Sequence, residues 1–154
     1  MIELEHNPMK PINELIDLAL QIAIDAHQGQ TDKMGKAYIL HPLRVAHRCK
    51  TDEERIVAIL HDTVEDSQVT PDDLLCCDFP QHIVDAILSV TRQSGETYEE
   101  FVQRAARNPI GREVKKHDLE DNLDILRIDR LTPDFIERYN RYLKAYRFLS
   151  TSHA

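Results

Sequence analysis

The chain has 154 residues, 42% of them hydrophobic and 30% charged, and a formal net charge of −8. That length suits one domain with a sizeable core, and an acidic balance excludes a general nucleic-acid binder, which needs a basic face. No apolar run approaches the roughly 20 residues of a membrane span, and the acidic start "MIELEHNPMK" is no secretory signal, so the cytoplasm is the expected compartment. Cys49 stands alone and Cys76 and Cys77 are adjacent, which gives no zinc spacing and predicts free thiols.

With only four glycines and helical periodicity almost throughout, the sequence predicts an all-α chain, a single domain over 1–154. "INELIDLALQIAIDAH" places Ile12, Leu15, Ile16, Ala19, Leu20, Ala23 and Ile24 on one stripe, a helix ending near Gly29. After the loop "QTDKMGKAY", "HPLRVAHRC" starts a second helix with Pro42 in its first turn. "TDEERIVAILHDTVED" reads as one helix, capped by Thr51 or Asp52, with Ile56, Val57, Ile59 and Leu60 as its apolar face. Helices follow in "TPDDLL", in "QHIVDAILSVTR" and "TYEEFVQRAARN" on either side of Ser94-Gly95, in "REVKKHDLEDNLDIL", and in "DFIERYNRYLKAYRFL" after "RLTP".

Ionisable chemistry concentrates where the third helix should be packing. His61 and Asp62 are adjacent, and Glu65 and Asp66 lie four residues on from each, so a polar corner interrupts a core wall. Buried charge at such a place requires a partner or a metal. Imidazole and carboxylate suit a divalent transition metal. His41, just before Pro42, and the set Asp118, Asp121 and Asn122 offer further ligands, and two imidazoles with two carboxylates leave room for a water. The blander readings are a chance His-Asp pair, helix-surface or half-buried positions for His47, His82 and His117, solvated ends for His6 and His153, and packing for Tyr139, Tyr142 and Tyr146.

Three blocks in order, "AHQGQTDKMGKAYILHPLRVA", "ILHDTVEDS" and "VKKHDLEDNL", resemble the signatures of the hydrolase domain of RelA/SpoT-type proteins, within the HD phosphohydrolase superfamily. The resemblance spans about Ile12 to Leu126. It implies a single HD-domain helical bundle that binds manganese, or another divalent metal, and removes the 3′-pyrophosphate of (p)ppGpp. It implies metal ligands His41, His61, Asp62 and Asp118, with Asp118 rather than Asp121 as the fourth, and Asp121 as a solvated acid or one behind the ligands. It implies Glu65 and Asp66 as the catalytic pair, Asn122 near the ribose, and Lys33 in a loop packing against the base. The expected partner is the small nucleotide alone, with neither nucleic acid nor membrane.

Lys33, Lys36, Arg44, Lys115 and Lys116 are candidates for the local positive charge a polyanion requires. The sequence departs from the family at Asp32, where an arginine is usual, and at His117, where a small residue is usual. It also lacks a synthetase or regulatory domain, which reads as a short, stand-alone form. Asp32 favours the alternative of an HD phosphohydrolase for another nucleotide or phosphoester. A non-catalytic nucleotide-binding module is the reading of a different class, and it sits poorly with six intact positions.

Overall fold

The computed structural model describes residues 9–151 and is all-α; His6 and His153 lie outside the described residues. The helices run in the order α1 (Ile12–Ala26), α2 (Leu40–Arg48), α3 (Asp52–Leu60), α4 (Thr63–Asp66), α5 (Pro71–Cys76), α6 (Gln81–Ser89), α7 (Tyr98–Ala106), α8 (Pro109–Asn122), a 3-10 turn (Ile125–Arg127) and α9 (Pro133–Ser150). Extended pairing among the described residues is one isolated bridge, Thr31 to Ala37, which closes the loop between α1 and α2.

Local chemistry explains most of the starts. Thr51, Thr70 and Thr97 each form a capping box with the acid three residues on, Glu54, Asp73 and Glu100. Asn108 and Thr132 cap α8 and α9 just ahead of Pro109 and Pro133, the position where a missing N–H costs nothing. Each such cap contributes about 1 kcal/mol.

α3 is the axis of the bundle. Ile56 through Leu60 are all buried, so the second half of this helix is apolar all round, and α3 packs against α1, α2, α6 and α8. Leu15, Ala19 and Ala23 of α1 face it, while Ile12 and Ile24 are exposed: the buried stripe follows a strict four-residue step and is narrower than the sequence suggests. Gly111 lets α8 approach α6, because a Cβ there would meet Ser89 Oγ at 2.0 Å. A second, smaller cluster of Val102, Leu119, Ala145 and Leu149 fastens α9 onto α7 and α8.

The third helix departs from its predicted continuity. It ends at Leu60, and His61 and Asp62 form a turn before the single turn of α4. The turn sets His61 and Asp62 beside His41 of α2 and Asp118 of α8.

Candidate metal centre and cleft

His41 comes from the first turn of α2, His61 and Asp62 from the break after α3, and Asp118 from α8. Their ligand atoms converge. His41 Nε2 lies 3.1 Å from Asp118 Oδ1 and 3.7 Å from Asp62 Oδ2, and His61 Nε2 lies 3.0 Å from Asp62 Oδ2 and 3.6 Å from Asp118 Oδ1. One atom each of His41, His61 and Asp62 falls within 4.8 Å of the others. His41, His61 and Asp118 are buried, Asp62 half-buried.

The tautomers show what this arrangement suits. His61 Nδ1 donates to the carbonyl of Ala58 at 2.6 Å, and His41 Nδ1 donates to Asp121 Oδ2 at 2.7 Å; neither acceptor has a proton to give. In their neutral forms both imidazoles therefore aim Nε2 lone pairs at two carboxylates. His61 Nε2 is buried and makes no hydrogen bond, although a carboxylate oxygen is close. Four acceptors facing one another without a proton among them fit a divalent cation, and both outward Nδ1–H bonds are the orienting contacts that metal-binding histidines make. Without the cation the site draws protons. Burial opposes charging His61, but Asp62 and Asp118 outweigh it and raise its pKa well above the usual value; His41 is raised by Asp118 and Asp121 against the same opposition. Asp62 falls to about 2, its burial overcome by His61.

Further contacts hold the acids in place. Lys115, itself buried, donates to Asp118 Oδ2 at 2.7 Å and sits 4.7 Å from the Phe101 ring centroid. Asn122 donates to Asp118 Oδ1 at 2.9 Å, and the Tyr38 hydroxyl donates to Asp62 Oδ2. Asp121 is fully buried, so of the two sequence-based alternatives it is the one behind the ligands: Arg44 reaches it at 2.8 Å, Arg48 at 2.9 Å and Arg127 at 3.3 Å.

The centre opens into a cleft of about 490 Å³. Glu65 lines it, its carboxylate 3.4 Å from the backbone N of Arg92. Asp66 is beside it in α4, and its carbonyl accepts from Gln30 Nε2 at 3.0 Å. Burial raises the proton affinity of both carboxylates, with Asp62 adding to it. Lys33 stands exposed on the rim, 6.0 Å from the Phe135 ring centroid. Of the proposed cations, Lys33, Arg44 and Lys115 line the cleft, whereas Lys116 pairs with Glu113. Arg92, Arg127, Arg138 and Arg141 line it as well, so basic side chains outnumber acidic ones in the cleft of an acidic chain.

Sequence reasoning missed Tyr38, Arg48, Arg127 and the clamp in which Gln30 meets His27 at 2.8 Å and Asp66 across α4. Tyr38, His27 and Gln30 lay inside the first motif block with no role given. Arg127 follows the last block and carries no local signal. Tyr139 and Tyr142 line the cleft, and Tyr142 also packs on the second core cluster, so packing describes only part of their position. His47 and His82 are exposed and His117 half-buried, as expected.

The described chain is thus an all-α domain whose central helix breaks to present a four-residue His/Asp centre. No protein-family model matches it. A solved structure, described as a metazoan ortholog of SpoT that hydrolyzes ppGpp, shares the fold with a TM-score of 0.73 and 22% identity, over 91% of this chain and 88% of that one. In sequence the chain is 30% identical over 139 residues to the guanosine-3′,5′-bis(diphosphate) 3′-pyrophosphohydrolase of Aquifex aeolicus, covering 82% of this chain and 20% of that protein. It is 34% identical over 104 residues to the GTP pyrophosphokinase of Myxococcus xanthus, covering 64% and 14%. It is 41% identical over 69 residues to the guanosine-3′,5′-bis(diphosphate) 3′-pyrophosphohydrolase of Vibrio cholerae, covering 42% and 10%. The chain thus spans a fifth or less of each of these curated relatives. Fold and sequence together support a RelA/SpoT-type hydrolase domain, the family that the three motif blocks resemble. No helix among the described residues is long and apolar enough to cross a membrane.

Proposed function

We propose that the protein is a metal-dependent pyrophosphohydrolase of a guanosine 3′,5′-bis(diphosphate)-like nucleotide, with Mn²⁺ or a related divalent cation held by His41, His61, Asp62 and Asp118. The observation that carries this reading is the convergence of four acceptors whose two imidazoles have both turned their N–H groups outward. A cation bound there would supply Lewis-acid polarisation of a phosphoryl oxygen and a water acidic enough to attack near neutral pH.

The side chains have the following parts. Tyr38, Lys115 and Asn122 orient the two carboxylates, and Asp121 orients His41. Glu65, on the cleft wall with its proton affinity raised, takes the proton of the attacking water. Asp66, its proton affinity raised in the same way, gives a proton to the ribose 3′-oxygen, which leaves as the water oxygen bonds to the 3′-phosphorus; the pyrophosphate released carries the water oxygen. Asn122 and Lys33 lie on the cleft in reach of a nucleotide, and its arginines supply charge for a polyanion.

Purified protein incubated with Mn²⁺ and guanosine 3′,5′-bis(diphosphate) tests the reading: pyrophosphate release is expected, and its absence overturns it. A second reading, an HD phosphohydrolase for another nucleotide or phosphoester, follows if the acid at position 32 only removes a cation from the cleft and contacts no base. Turnover of another phosphoester without pyrophosphate release from the guanosine compound would select it.

A further inference from the structure

Asp32 and Arg127 face each other across one end of the cleft, and each is fixed from behind. Asp32 Oδ1 accepts from the backbone N–H of Met34 and of Lys36, both at 2.9 Å, and the Asp32 N–H donates to the Lys36 carbonyl at 2.8 Å. Gly35, at φ +75°, turns the chain between them. The loop thus spends one carboxylate oxygen on its own turn and aims the other, Oδ2, at Arg127. Arg127 donates through Nη2 to the carbonyl of Asp121 at 2.8 Å, which leaves Nη1 toward Asp32 Oδ2 at 4.0 Å. That gap is too long for a hydrogen bond. An anchored acceptor and an anchored donor therefore stand side by side, unspent on each other, both lining the cleft with the apolar side chains of their chain neighbours Met34 and Ile128.

We infer that Asp32 and Arg127 are the base-reading pair of this cleft, selecting a 6-oxopurine; the inference deepens the proposed nucleotide reading and rests on it. Guanine carries N1–H and an N2 amino group that converge on one acceptor, with O6 alongside as an acceptor for a guanidinium. Asp32 Oδ2 takes the two donors and Arg127 Nη1 takes O6. Adenine offers one amino donor and a ring nitrogen at that edge, so it forms fewer bonds and leaves part of a charged pair unmatched. The acid that departs from the family pattern thereby becomes a specificity element, and the positive charge it displaces from the loop is supplied by Arg127 from the opposite wall.

The test uses Mn²⁺-loaded protein titrated calorimetrically with guanosine 3′,5′-bisphosphate and adenosine 3′,5′-bisphosphate, neither of which has a pyrophosphate to lose. Wild type is expected to bind the guanosine compound tighter by about tenfold or more, the scale of one matched bidentate edge. Asp32→Asn keeps a carbonyl oxygen for the Met34 and Lys36 N–H groups but presents an amide donor in place of Oδ2. It is expected to bring the two affinities within about twofold while Mn²⁺ binding stays unchanged. Equal or absent binding of the two nucleotides by wild type, or an unaltered preference in Asp32→Asn, overturns the inference. A guanosine preference without hydrolysis of guanosine 3′,5′-bis(diphosphate) sustains the inference and sinks the pyrophosphohydrolase reading. Hydrolysis of that compound with no base preference in binding does the reverse.

Discussion

The Nδ1–H of His41 points at Asp121 Oδ2 across 2.7 Å, joining two helices through one fully buried carboxylate. Arg44 and Arg48 on α2 and Arg127 beyond α8 meet the same carboxylate, so His41 is oriented by a charged cluster rather than by a single contact. Asp121→Asn removes the charge and leaves three guanidiniums around a neutral amide. Mn²⁺ affinity by calorimetry should fall by about 10- to 100-fold. Chemical denaturation of the same variant should show a loss of about 3 kcal/mol, the cost of stranding partners of a buried ion pair.

The core and the site separate energetically at Leu60 and His61, neighbours in sequence. Leu60 is fully buried in the α3 wall, so Leu60→Ala should cost about 2–5 kcal/mol in urea denaturation. His61→Ala removes an imidazole that faces carboxylates rather than the core. It should abolish Mn²⁺-dependent turnover while destabilising the metal-free protein less than Leu60→Ala does.

Protons and metal compete for His41 and His61. Both have raised pKa values in the metal-free fold, so their contribution to stability is complete below the unfolded value of about 6.5 and is lost as pH rises through the folded values. The melting temperature of metal-free protein should therefore decline above about pH 6.5. Mn²⁺ affinity should rise over the same interval, with proton release on binding visible as a buffer-dependent calorimetric heat.

The three cysteines are free, and their environments differ. Burial pushes the Cys49 thiol up to about 12, whereas Cys76 is exposed. Thiol titration of native protein at pH 8 should label Cys76 rapidly and Cys49 only on unfolding, with no change in melting temperature on adding reductant. Rapid labelling of Cys49 would contradict the packing of α2 against α3.

Helical periodicity made most of the fold legible, because the α3 core wall and the cap at Thr51 are local signals; Asn108, read as the tail of the segment before it, instead caps α8 three residues earlier than the sequence suggests. The interruption at His61 and Asp62 was not legible, since both keep backbone angles in the right-handed helical region. In the centre, spacing pointed to His41, His61 and Asp62 with Asp118 or Asp121 left open, and it was the family resemblance that implied Asp118. The residues that orient them were not legible, since Arg48 and Arg127 act across 73 and 6 positions of chain to meet Asp121. Asp32 was visible as a departure, but its pairing with Arg127 depends on how the loop and the 3-10 turn come together.

The proposed function requires a divalent cation at His41, His61, Asp62 and Asp118. Its most direct test is calorimetric titration of Mn²⁺ into wild type and Asp62→Ala, paired with pyrophosphate release from guanosine 3′,5′-bis(diphosphate). One Mn²⁺ per chain and pyrophosphate release in wild type, both lost in Asp62→Ala with the helical fold retained, are the predicted results. Near-normal turnover by Asp62→Ala, or a wild type that binds no Mn²⁺, would contradict the account.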